Sequence, residues 1–440
     1  MGHTGVKIAL AGAAMISLSG CLGEGTGEGN FVSRLASSDQ TPNIKTPAKA
    51  ETTSEKISAE SVLIQELASR RSALPANGPY DEVASAVLAA NSRAAETELR
   101  SAKLRAEAAS KNWLPRIGPD ISLTSLSSVV ASLVLDVTLF DHGRRKAERA
   151  FAAADVEVAA VTLAEDSNDR VETALGLYLA AEQGRETVRL NETTLKDMNQ
   201  FLYIMTERVR GGVSDMSDLT VIRQKVGEIR SSLGRNQEAT RTALAELNAM
   251  SVHPLDSVRG LSQVRISGGS ARPLRVVMAD AERARTVAEA RVSRADQLPG
   301  VSAQARIGDN SGSAVRTDGT VGIGTGSTLK AIEASKEAAD RDVARAEEDA
   351  SREIARLESR ISALDRQAAE AVALTKAAKS NLDLFQKQFE SGQRQVIDVV
   401  QVYETFARQE ESQIELKYEA AAARIELARV LGLLADGEAI

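Results

Sequence analysis

Residues 144–210 form a run without a single proline, and residues 327–391 form another. As helices these would span about 100 Å and about 98 Å at 1.5 Å per residue. No other segment of the chain is long enough to cover either run alone. The spacing instead offers pairs of shorter arms. Residues 81–112 and 213–250 would give about 48 Å and about 57 Å, together about 105 Å. Residues 273–296 and 396–434 would sum to roughly 94 Å. Two short helices stacked end to end could therefore pair along each long one.

The chain repeats itself at the same scale. "WLPRI" at 113–117 returns as "QLPGV" at 297–301, a shift of 184. "RGGVSDMSDL" at 210–219 returns as "ESGQRQVIDV" at 390–399, a shift of 180. Gly212 then maps onto Gly392 and Asp218 onto Asp398. Each half has one order: helix, Leu-Pro, a β-like stretch, a very long helix, a glycine break, a helix.

Apolar stripes run to the glycines and back. Val188, Asn191, Leu195, Met198, Leu202, Met205 and Val209 alternate by three and four, and Leu219, Ile222, Val226, Ile229 and Leu233 continue beyond the break. The shifted positions are Ala368, Ala371, Thr375, Ala378, Leu382, Phe385 and Phe389, then Val399, Val402, Phe406, Gln409 and Gln413. The breaks thus read as helical hairpin tips, with Gly211, Gly212 and Gly392 supplying the reversal.

The stretch between Leu-Pro and the first long helix alternates with period two. Ile121 and Leu123 flank Ser122, and Leu133, Leu135, Val137 and Leu139 alternate with Ser132, Val134, Asp136 and Thr138. The second half is fainter: Val301, Ala303, Ala305 and Ile307, followed by "TVGIGTG" at 320–326. Four strands cannot close a membrane barrel, and open edges are not tolerated in lipid. If the strands enter a membrane, several chains must share one barrel, and three would supply twelve strands. The competing reading is a small soluble β subdomain.

The first residues, "MGHTGVKIALAGAAMISLSGC", join one lysine to a short apolar stretch and fit a secretory signal over 1–20. The ending Leu-Ser-Gly-Cys resembles the bacterial lipobox, which implies acylation of Cys21, the only cysteine. Leu22 after it implies sorting to the outer membrane. Residues 22–50 are rich in Gly, Ser, Thr and Pro and read as a tether.

Composition narrows the chemistry. Aromatic residues are 3% of the chain and charged residues 26%, with net charge −7 and both signs interspersed. An alanine-based core with few rings suits extended helices in shallow contact. Nothing points to nucleic acid. One cysteine excludes a disulfide, and His3, His142 and His253 are too scattered for a ligand cluster. No phosphate-binding loop and no nucleophile–base pattern appear, so no catalytic residue, resident cofactor or metal is assigned; the one covalent addition expected is the lipid on Cys21.

The duplicated order, the "LFDHGRRKAE" at 139–148 entering the first long helix and the two Gly-x5-Asp tips together resemble the TolC family of outer membrane efflux and secretion ducts. The resemblance implies a mainly α fold with a small β part. Duplicated helical hairpins would form a trimeric α-helical barrel, topped by a 12-stranded β-barrel with four strands per protomer. It implies a duct of a tripartite pump or type I secretion system, with a periplasmic adaptor (membrane fusion) protein, an inner-membrane transporter and outer membrane lipid as partners. It also implies a gate at the periplasmic tips. Arg394 falls where the family has an arginine linking the two tips, with Ser217 and Asp218 as its partners, and Asp398 where the family has a ring of three carboxylates. Gln401 and Phe389 depart from the family's second acid and tip tyrosine. The expected organisation is 1–20 signal, 21–80 acylated tether with a short helix, 81–255 first repeat and 256–440 second repeat. The alternative from a different class is a periplasmic coiled-coil scaffold or adaptor lipoprotein with no pore.

Overall fold

The computed structural model describes residues 61–90, 94–125, 128–266, 271–308, 311–319 and 321–437. The expected signal, Cys21 and the tether at 22–50 lie outside them. Three short helices come first: α1 (Val62–Ala68), α2 (Pro79–Leu88) and α3 (Ala94–Ser110). Strands β1 (Arg116–Ser125) and β2 (Ser128–Phe140) precede the long helix α4 (Arg144–Arg210) and its return α5 (Met216–Met250). The order then recurs as α6 (Leu274–Asp296), β3 (Gly300–Gly308), β4 (Gly312–Asp318), α7 (Thr325–Glu390) and α8 (Val396–Val430).

The long helices pair as their lengths require. α4 lies between α3 and α5 on one flank and α6 and α8 on the other, while α7 packs on α6 and α8. The position in this layer decides burial. α4 buries 21 of 67 residues, whereas α7 buries 7 of 66. Those seven, including Ala339, Ala346, Leu357, Leu364 and Ala371, mostly recur every seventh residue and form one narrow seam. Val372, Leu374 and Leu384 on α7 stay half exposed. α7 and the α3/α5 line are thus the open edges of a helical layer.

The sheet is antiparallel in the order β1-β2-β3-β4, so β1 and β4 are its edges. The register stacks Ile117 with Leu135, then Leu135 with Ala305 and Leu133 with Ile307, on one face. Arg116, Asp136, Gln304, Ser302 and Arg316 fall on the other. Arg306 and Asp120 pair across that polar face at 3.5 Å.

The corner from β2 into α4 explains the "LFDHGRR" run. Asp141 accepts hydrogen bonds from the Gly143 and Arg145 amides (3.0 and 2.9 Å), so it holds the turn that enters α4. His142 and Gly143 both turn through positive φ there. The His142 Nε2–H donates to the Pro299 carbonyl (3.1 Å), so this histidine ties the two repeats together.

Three expectations need correction. The arm expected over 81–112 is two helices, because α2 packs its Tyr80, Val83 and Val87 into one apolar cluster and α3 its Leu99, Ala102 and Ala106 into another. The strand expected at "TVGIGTG" forms earlier, at Gly312–Asp318, where Val315 and Arg316 still alternate across the two faces of the sheet. Gly322 and Gly324 instead turn the chain into α7, with the Thr325 hydroxyl accepting from the Gly322 amide. The last helix ends at Val430, not 434, because Gly432 takes a left-handed φ of 65° and the Leu433 amide closes onto Ala428.

The tail after α8 is locked by a buried side chain. Asn168 on α4 donates to the Ala164 carbonyl (2.7 Å) and accepts from the Leu434 amide (2.8 Å). Asn168→Leu would leave that amide buried without a partner. It is expected to cost about 1–3 kcal/mol, read as a lowered thermal midpoint in detergent. An unchanged midpoint would contradict the role of this bond.

Candidate functional site at the hairpin tips

The two tips are built alike. At the first, the Gly212 amide bonds the Val209 carbonyl (3.0 Å) and the Val213 amide reaches back to Arg208 (2.9 Å). At the second, Gly392 bonds Phe389 (2.9 Å) and Gln393 bonds Gln388 (2.8 Å). Both are helix-ending motifs that require a left-handed residue, and Gly212 and Gly392 have φ of 71° and 75°. Gly211 sits one residue earlier, as the C-cap of α4.

The next helix starts four residues after each glycine, at Met216 and at Val396. Asp215 caps α5 by accepting from the Ser217 amide (3.1 Å). Gln395 caps α8, and Asp398 closes a capping box by accepting from the Gln395 amide (3.1 Å). The Gly-x5-Asp spacing therefore has a local cause at the second tip. It is the distance from a left-handed C-terminal glycine to the third residue of the returning helix. Asp218 occupies the same position in the first turn of α5.

Arg394 braces its own tip. Its Nε donates to Gln388 Oε1 (3.2 Å), and its guanidinium sits 4.6 Å from the Phe385 ring centre. The first tip has the same brace at the equivalent positions, with Arg208 Nε donating to Ser214 Oγ (3.2 Å). Within one chain, then, Arg394 is bonded inside its own hairpin and not to Ser217 or Asp218. Arg394, Ser217 and Gln401 are exposed, Asp218, Asp398 and Phe389 half buried. Phe389 packs into the cluster that fills both hairpins.

That cluster joins the apolar stripes read in the sequence to Val396, Val400 and Tyr403, which the sequence reading missed. Met198, Met205, Leu219, Ile222 and Val226 of the first hairpin share it with Leu382, Val396, Val399, Val400 and Tyr403 of the second. The buried Tyr403 hydroxyl donates to Asp197 Oδ2 on α4 (2.7 Å). Burial, then the bond to Asp197, pushes this phenol above its usual range. Lys225 on α5 lies 3.4 Å from Glu404 on α8. The signal was width: Val396, Val399, Val400, Val402, Tyr403 and Phe406 make a stripe broader than a two-helix seam needs.

Residues 88–251 match the family model described as outer membrane efflux protein. The chain has the fold of an outer membrane efflux channel. It is similar to the outer-membrane channel OprN at 16% identity and TM-score 0.70, over 89% of this chain and 98% of that one. A membrane protein from Pseudomonas aeruginosa is 17% identical at TM-score 0.70, over 84% and 93%. The Campylobacter jejuni CmeC outer membrane channel is 12% identical at TM-score 0.67, over 89% and 94%. No curated protein matches in sequence. The similarity thus holds in fold over 84–89% of the chain and in sequence over residues 88–251.

Asp398→Ala removes one arm of the capping box, worth about 1 kcal/mol. Amide exchange at Gln395 is expected to quicken about fivefold, the ratio that such an energy allows. Unchanged exchange would contradict the capping role.

Proposed function

We propose that this chain is one protomer of a homotrimeric outer membrane duct. It would pass substrates passively from a periplasmic pump assembly, an adaptor with an inner-membrane transporter, to the exterior. The observation that carries the reading is the open four-stranded sheet, apolar on one face and polar on the other, standing on a helical layer that is open at the same two sides. Unpaired strand edges cannot face lipid, and four strands are too few to close. A second copy supplies what each edge lacks: β4 beside the next β1, and α7 beside the next α3 and α5. Three copies give twelve strands around a polar interior.

Strand length supports insertion unevenly. β2 has 13 residues, so at a tilt near 40° it rises about 33 Å, beyond the roughly 25 Å apolar band of such barrels. β4 has 7 residues and rises only about 18 Å. The first strand pair would then span the membrane while the second reaches part of the way. Among the described residues no helix is long and apolar enough to cross a membrane. An acyl group on Cys21 would add a lipid anchor to the chain.

The tips would form the periplasmic gate. Around a threefold axis, Asp398 of three chains would make a cation-attracting ring, and Arg394, Asp218, Ser217, Gln401 and Phe389 would line the closing surface. In a secretion system the same duct would serve an exported polypeptide. Opening requires a partner that binds the open tips more tightly than the closed ones.

Trimers in planar bilayers are expected to conduct ions, with Asp398→Ala reducing block by divalent cations. Trimers with no conductance in any variant would remove the duct. Arg394→Ser, which loses the tip brace, is expected to make cells leakier to large antibiotics. Wild-type permeability would exclude Arg394 from the gate.

A further inference from the structure

The charges around the strand–helix corner are sorted by face. A cavity lies on each side of the place where β2 enters α4 and α6 leaves for β3. On α4, Arg144 and Glu148 line one cavity, and Lys146 and Ala150 line the other. Residues two apart on a helix stand about 200° apart, so the two sets face opposite ways. The first cavity continues the polar face of the sheet through Arg116 and Asp136. Its helix cations are satisfied. Arg144 meets Glu148 and Asp296 at 3.0 Å each, and Arg145 donates to the Thr138 hydroxyl and the Trp113 carbonyl.

The second cavity, of about 480 Å³, is built differently. Lys146, Arg291 and Arg294 line it, and no carboxylate does. None of the three has an ion-pair partner among the described residues. In a chain of net charge −7, three cations gathered without an acid repel one another and favour an anion between them. The apolar face of the sheet runs into this cavity. A bulge between Thr138 and Phe140 turns Phe140 onto the face that carries Val301 and Ala303. Its ring is 55% exposed and stands 4.6 Å from the ring of His142, which lines the cavity. We propose that the cavity of Lys146, Arg291 and Arg294 binds the phosphate headgroup of an anionic phospholipid of the periplasmic leaflet, with the acyl chains lying on the apolar face of the strands; this rests on the reading of the chain as a membrane-inserted duct.

The chemistry selects among ligands. Two guanidinium forks and an ammonium offer charge-assisted hydrogen bonds that match phosphate oxygens. A zwitterionic lipid brings its own ammonium, which the three cations repel. A free phosphate has the charge but no chains, so it gains nothing from Phe140 or Val301. An amphiphile with an anionic head uses both surfaces at once, and an aromatic ring at the headgroup level suits such a boundary. A lipid held there would fix the depth at which the strands leave the membrane and the helices begin.

The test is native mass spectrometry of full-length protein in mild detergent, with phosphatidylglycerol or phosphatidylethanolamine added at equal concentration. Wild type is expected to prefer phosphatidylglycerol by about a hundredfold, the product of three basic contacts at about fivefold each. Lys146→Gln, Arg291→Gln and Arg294→Gln are each expected to lower that preference about fivefold, and the triple variant to lose it. Arg316→Gln removes the same charge from the polar face of the sheet and is expected to leave the preference unchanged. Equal retention of the two lipids by wild type would overturn the site, as would a preference that survives in the triple variant or falls equally in Arg316→Gln. Glycerol phosphate, the head without chains, is expected not to displace the lipid at equal concentration; displacement would make this a site for soluble anions and overturn the lipid. The particle mass separates the two readings: trimers without a preference remove the lipid site alone, whereas single chains in every preparation remove the duct and the site with it.

Discussion

A helix of 67 residues exposes about 100 Å of seam to water unless something of equal length covers it. The helix of matching length, α7 with 66 residues, packs on α6 and α8 instead, so α3 and α5 share one flank of α4 and α6 and α8 share the other. Everything else follows from that sharing. The junction between the short helices needs a connector on each side, and the far ends need hairpins. The near ends of the long and short helices leave the layer together, and there the strand pairs enter. The duplication keeps both halves to the same length, so one geometry serves twice.

The layer is also unfinished in a specific way. α4 is covered on both flanks and α7 on one, and the sheet ends in two unpaired strands. The helical edges and the strand edges belong to the same ends of each repeat. A self-contained domain would have no reason to leave both kinds of edge open side by side. A subunit of a closed ring would have to.

Much of this was legible in the residues. The glycines at 212 and 392 marked both tips, and the proline-free runs set α4 and α7 to within two residues. What escaped was local chemistry overriding pattern. The apolar spacing from Val87 to Ala95 is continuous, yet α2 and α3 are separate helices, because neighbouring clusters claim them. β4 carries almost no apolar signal and is defined by its pairing with β3. Of the site residues, the positions of the glycines and of Asp398 at a helix start could be read, whereas the direction of the Arg394 side chain could not. The Tyr403–Asp197 bond joins residues 206 apart in sequence, and no periodicity encodes such a meeting.

The account turns on whether each protomer's bare edges are closed by further copies of itself. The direct measurement is the mass and the projected symmetry of particles purified in mild detergent. Three chains arranged about a water-filled axis, tapering at the end where α4 and α7 reverse, is the result the account requires. One chain per particle, or a rod with density along its centre, would contradict it.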